Sequence, residues 1–365
     1  MKLFANIFQA LCTLGCLLVL SFNLVSCAVE EGAGVPDAAP SVYYWRGTLR
    51  LDAMERTFLK EHDVRKVYLR LFDVVKRGNV CVPAGTIEFR DTLPNTLHVV
   101  PTIFITEECL RADTTDLAAK LVERVVKMCR VNHLNNLAEL QVDCDWTPHS
   151  REAYYALLER IRTCLAQMGK GTNADASHQA DNSWRLSVTI RLHQLNQPAP
   201  PADYGVLMVY NTGDYRQRNK RNPILAYEDV EPYVKYLKDY KLPLCAAYPN
   251  FSWKRLFHGD RFKGFLYSEN LSDSTVYESL SGDSLYRVVQ GRTLHGALQG
   301  EYDIHLSPAD EVVVTRPAPE EMLRIARMLH KVRPNIHKQV IFYHLDKNFM
   351  NLLSAEQYEA FYHFH

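Results

Sequence analysis

An α/β chain folded as a (β/α)8 barrel of the TIM type, with an insertion after strand seven, is what this 365-residue sequence predicts, on three observations. From Ser41 onward strand-like and helix-like segments alternate with no break in composition, as expected where helices cover strands. Several strand segments are polar on one face and apolar on the other. Strands read this way when helices bury the outer face and a polar column rises inside toward the C-terminal mouth. No glycine-rich phosphate loop follows an early strand, which removes the main sign of an open doubly wound sheet.

The elements follow in order. Val42 to Arg46 is the first strand, and a helix runs from about Asp52 to Glu61. Lys66 to Val75 is the second, with Val67, Leu69 and Leu71 opposed to Tyr68, Arg70 and Phe72. Arg70 then points inward and needs a carboxylate, either Asp73 or the acidic pair of the fourth strand. Leu97 to Ile105 is the third strand, and Leu117, Leu121, Val125 and Met128 mark an amphipathic helix over Thr115 to Arg130. Leu137 to Thr147, LAELQVDCDWT, contains the fourth. Its period of two sets Leu140, Val142 and Cys144 against Gln141, Asp143 and Asp145.

Pro148 opens a helix to about Met168, and the polar run Gly169 to Asn182 is a loop. Trp184 to His193 is the fifth strand, with Ser187, Thr189, Arg191 and His193 as a second polar column. Gly205 to Tyr210 is the sixth, Tyr227 to Tyr240 a helix, and Leu242 to Tyr248 the seventh strand. The segment from Pro249 to Trp253 brings aromatic residues to the mouth. Arg255 to about Asp310 breaks the rhythm with short strand-like pieces and reads as an insertion; Val312 to Val314 belongs either to it or to the frame. Pro319 to Val332 is a helix, Gln339 to Leu345 the eighth strand, and a closing helix follows Asn348.

Lys plus Arg equals Asp plus Glu at 42 each, so no global field favours nucleic acid. The 20 tyrosines suit stacking and hydrogen bonding to polar, neutral ligands. Cys81, Cys109, Cys129, Cys144, Cys164 and Cys245 show no CxxC or close Cys/His spacing, so neither a metal site nor a cofactor is expected. A remoter alternative converges Asp143, Asp145, His193 and His344 on a metal. A basic Lys2, an apolar run from Ile7 to Leu20 and Leu24-Val25-Ser26-Cys27 form a targeting segment over residues 1–27. The tetrapeptide resembles the lipobox of bacterial lipoproteins, which implies lipidation at Cys27 and a membrane anchor in the cell envelope, most simply the outer membrane. Residues 28–40 read as a tether and 41–365 as the barrel. Glu30-Glu31 resembles export signals of Bacteroidetes surface lipoproteins.

Asp143, Asp145 and Trp146 resemble the fourth-strand motif DxxDxDxE of glycoside hydrolase family 18, the chitinase-like barrels. Leu140 stands at the first acidic place and Thr147 at that of the catalytic glutamate. Met208-Val209-Tyr210-Asn211 resembles the sixth-strand segment that in this family lies beside the substrate N-acetyl group. The resemblance implies Asp143, Asp145 and Tyr210 as catalytic groups, with Gln141, Trp146, Arg191, His193, Met208, Asn211, Tyr248 and Trp253 contacting a glycan. Threonine cannot serve as the acid. Three functions follow: a glycosidase acting on an amino-sugar glycan, in which Asp145 or a loop carboxylate such as Glu107, Glu108 or Asp346 is the acid; a glycan-binding lipoprotein that does not cut; or a scaffold lipoprotein with no sugar site.

Overall fold

The period-two segments form eight parallel strands, β1 (Ser41–Tyr44), β2 (Lys66–Arg77), β3 (His98–Ile105), β4 (Glu139–Asp143), β5 (Arg185–Ile190), β6 (Tyr204–Met208), β7 (Leu244–Pro249) and β8 (Val340–Tyr343). β1 pairs in parallel with both β2 and β8, which closes the sheet into a barrel. The structure, a computed structural model, describes residues 39–112, 114–171, 184–218, 221–267, 269–295 and 303–364, with residues 169–171 as backbone alone. Cys27, the targeting segment and most of the expected tether and polar loop lie outside the described residues.

Six helices pack around the barrel: α1 (Ala53–Glu61), α2 (Leu117–Val131), α3 (Arg151–Gly171), α4 (Tyr227–Leu237), α5 (Pro319–Val332) and α6 (Ala355–Tyr362). α1 starts on a reciprocal cap, Asp52 accepting from Glu55 N–H and Glu55 from Asp52 N–H, a device worth about 1 kcal/mol. After β2 the chain forms an antiparallel hairpin strand, Val80–Ala84, and after β5 a 3₁₀ turn, Leu192–Asn196, in place of helices.

Arg70 pairs with Asp73, Nε lying 2.7 Å from Oδ1. A register shift between Arg70 and Phe72 makes this possible, because a bulge reverses the alternation beyond it. Phe72, expected inside with Arg70, instead sits under the Arg124 guanidinium of α2 at 4.9 Å.

The barrel interior is polar in tiers. At the base Glu139 accepts hydrogen bonds from Ser187 and Tyr204, both at 2.5 Å, with Lys66 Nζ 3.6 Å away. In the next tier Tyr43 donates to Gln141 Oε1 at 2.8 Å. Glu139, Ser187, Tyr204, Tyr43 and Gln141 are thereby hydrogen-bonded, which avoids a desolvation cost of about 1–3 kcal/mol apiece.

The insertion after β7 is a five-stranded antiparallel sheet running from Trp253–His258 to Glu311–Thr315. Glu311–Thr315, containing Val312 to Val314, is its central strand and not part of the barrel frame. It has its own apolar cluster, including Leu256, Leu266, Val288 and Val312.

Candidate functional site

A cleft of about 410 Å³ opens where β4, β5, β6 and β8 end, at the C-terminal mouth where barrel loops gather functional groups. Asp143, Asp145, Arg191, His193, Met208, Tyr210 and Asn211 line it, together with Trp45, Phe104, Tyr233 and Tyr343.

Asp143 ends the inward column of β4. Its Oδ1 accepts from Thr189 Oγ1 at 2.5 Å and from Arg191 Nη1 at 2.6 Å. Arg191 Nη1 also donates to Thr189 Oγ1 at 2.7 Å. Burial alone would lower the Arg191 pKa, but the charges of Asp143 and Asp145 outweigh it and hold the guanidinium protonated. Asp145 lies further out with its side chain 58% exposed, and His193 Nε2 is 3.3 Å from its Oδ1. Partial burial acts to raise its pKa; the His193 hydrogen bond and the Arg191 charge prevail and hold it below the usual range.

Tyr210 stacks on Tyr343 with centroids 4.8 Å apart. Its hydroxyl is buried and has no hydrogen-bond partner, and burial, followed by the Tyr343 and Tyr43 hydroxyls, pushes its pKa well up. It therefore stays neutral, in a residue that lines the cleft. Asn211, exposed beside it, has φ of 55°, a left-handed conformation that asparagine tolerates better than most residues. The peptide joining Tyr343 to His344 is cis.

Four expected ligand contacts lie elsewhere. Trp146 is fully buried against Tyr154 and Tyr155 of α3, because it alternates with Asp145 and so faces the helices. Tyr248 lies beneath α6, its ring tilted against Phe361 and its hydroxyl hydrogen-bonded to His337 Nε2 at 2.7 Å. Gln141 is sealed one tier below the cleft. Trp253 opens the insertion sheet, where it packs between Phe251 and Phe265 and lines a different cavity of about 710 Å³.

Conversely, Trp45, Tyr343, Asp229 and Tyr233 line the cleft without having been expected there. Trp45 and Tyr343 were within reach of the period-two argument, since Tyr43 and Trp45 share a face of the first strand. Asp229 and Tyr233 come from α4, and nothing in the sequence ties that helix to this mouth. Among the described residues no group of three or more His, Cys, Asp or Glu side chains could hold a metal ion. His344 is half-buried outside the cleft, where desolvation lowers its pKa to about 4.

No protein-family model matches the chain, and no curated protein matches its sequence. Solved structures do. A chitinase-like agglutinin from Robinia pseudoacacia is 11% identical over 89% of this chain and 99% of its own, with a TM-score of 0.49. A class V chitinase from Nicotiana tobaccum is 11% identical over 87% of this chain and 98% of its own, also at 0.49. A mutant family 18 chitinase from Cycas revoluta, solved with (GlcNAc)4, is 10% identical over 89% and 97%, at 0.46. This chain is distantly similar in structure to chitinase-like barrels.

The Thr147 side chain is engaged just outside the cleft. Thr147 Oγ1 donates to Glu107 Oε1 at 2.5 Å, and Ser150 Oγ donates to the same oxygen at 2.7 Å. Those two bonds, Thr147 first, hold Glu107 ionised below its ordinary pKa. Neither residue lines the cleft. Glu107 and Glu108 belong to a 3₁₀ turn, Glu107–Arg111, on which Glu108 is exposed, and Asp346 caps the turn after β8 by accepting from Asn348 N–H at 2.9 Å.

Proposed function

We propose that the cleft binds an amino-sugar-containing glycan without hydrolysing it, and that the protein does so as an envelope lipoprotein anchored through Cys27. The observation that carries this reading is that each of the three cleft carboxylates described is paired with a basic side chain, Asp143 with Arg191, Asp145 with His193 and Asp229 with Arg221. Glycosidic cleavage requires a group that still holds its proton at the working pH. Asp143 is committed to Arg191, Asp145 is held ionised, and Thr147 is turned toward Glu107. What remains suits binding: a neutral Tyr210 hydroxyl with no partner, the Asn211 amide, and the aromatic walls of Trp45, Tyr233 and Tyr343. The resemblance of Met208 to Asn211 to the segment beside an N-acetyl group points to amino sugars.

The test is a panel of envelope and host glycans applied to the soluble chain from Ala28 onward, scored for binding by calorimetry and for cleavage by mass spectrometry. Binding with intact glycans is expected. Release of shortened products would restore the hydrolase reading, and no binding to any member would leave the scaffold. For the anchor, Cys27→Ala should leave an unprocessed precursor; normal maturation and unchanged membrane association would exclude it.

A further inference from the structure

The cleft holds more hydrogen-bond acceptors than the single N–H of an N-acetyl group can satisfy. Asp143 and Asp145 each engage one oxygen, Oδ1 in both cases. Among the described residues Oδ2 of each has no partner, and neither atom is among the sealed-off polar atoms of the interior. The third cleft carboxylate, Asp229, is paired with Arg221. Arg191 is the one arginine or lysine paired with these two carboxylates, and His193 balances Asp145 only when protonated, so one of the two negative charges lacks a permanent counterion. Beside it the Tyr210 hydroxyl, its residue only 6% exposed, is also unsatisfied and can accept as well as donate.

An N-acetylated amine offers a single N–H and no charge. A free amine offers three donors and the missing positive charge. Building on the glycan-binding reading, we infer that the cleft selects amino sugars whose nitrogen is unacetylated, seating the ammonium between Asp143 and Asp145. The contact lies at a partly exposed mouth, so part of the gain is screened by salt.

Calorimetry with a glucosamine tetramer and an N-acetylglucosamine tetramer on the wild-type chain tests this. The free-amine tetramer should bind about tenfold tighter at low salt, and the ratio should fall severalfold at about 0.5 M sodium chloride. Asp145→Asn, at a side chain 58% exposed, should bring the two affinities within about threefold. Equal or tighter binding of the acetylated tetramer by the wild type would overturn the inference and leave the glycan-binding proposal standing. If neither tetramer nor any other glycan binds, both fall together.

Discussion

Arg191 Nη1 lies 2.6 Å from Asp143 Oδ1, joining the ends of β4 and β5 beneath the cleft. The Asp143 side chain is 4% exposed and that of Arg191 21%, so the pair is only partly screened. Removing one partner strands the other. Asp143→Ala should cost about 3 kcal/mol in urea unfolding, the lower end for a broken buried pair. Arg191→Ala in the same background should then cost much less than it does alone. Additive losses would show that the two charges are not energetically linked.

Tyr210→Phe separates binding from stability. The hydroxyl is buried and makes no hydrogen bond, so its loss should leave the protein as stable or more stable, by up to about 1–3 kcal/mol. Ligand affinity should fall by about five- to tenfold, the value of one hydrogen bond to a bound molecule. A large stability loss with unchanged affinity would assign the hydroxyl a structural part instead.

Gly205 on β6 has no room for a side chain. An added Cβ would lie 2.9 Å from Ile190 Cγ1 and from Leu244 Cδ2, and 3.0 Å from Leu242 Cδ2. Gly205→Ala forces neighbours on both adjoining strands to shift, and should destabilise by about 1–3 kcal/mol. Denaturant midpoints compared at constant m-value would measure it.

His337 supplies the pH dependence. Burial, then the neighbouring His330, lowers its pKa to about 3 from an ordinary value near 6.5. Below pH 6.5 the unfolded chain binds a proton that the folded chain refuses, so stability falls with acidification down to about pH 3. The slope from this group is at most about 1.4 kcal/mol per pH unit. Above pH 6.5 it contributes no slope. His337→Gln should flatten the curve within that window, as followed by urea unfolding at successive pH values; an unchanged slope would assign the acid sensitivity to other groups.

Period-two alternation alone was enough to read the barrel strands and the inward column of Gln141 and Asp143. These are local properties: side-chain direction along a strand depends on the adjacent residues. The same rule, applied two and three residues beyond the end of β4, also explains why Asp145 faces the mouth and Trp146 faces α3. Tertiary structure decided the rest. The bulge after Arg70 turned Phe72 outward and brought Asp73 to the arginine, and no composition signal marks a bulge. Glu107 meets Thr147 across 40 positions of sequence, and Asp229 and Tyr233 reach the cleft from α4. Such meetings depend on how strands and helices close around one axis, which fixes distances between residues that share no local pattern.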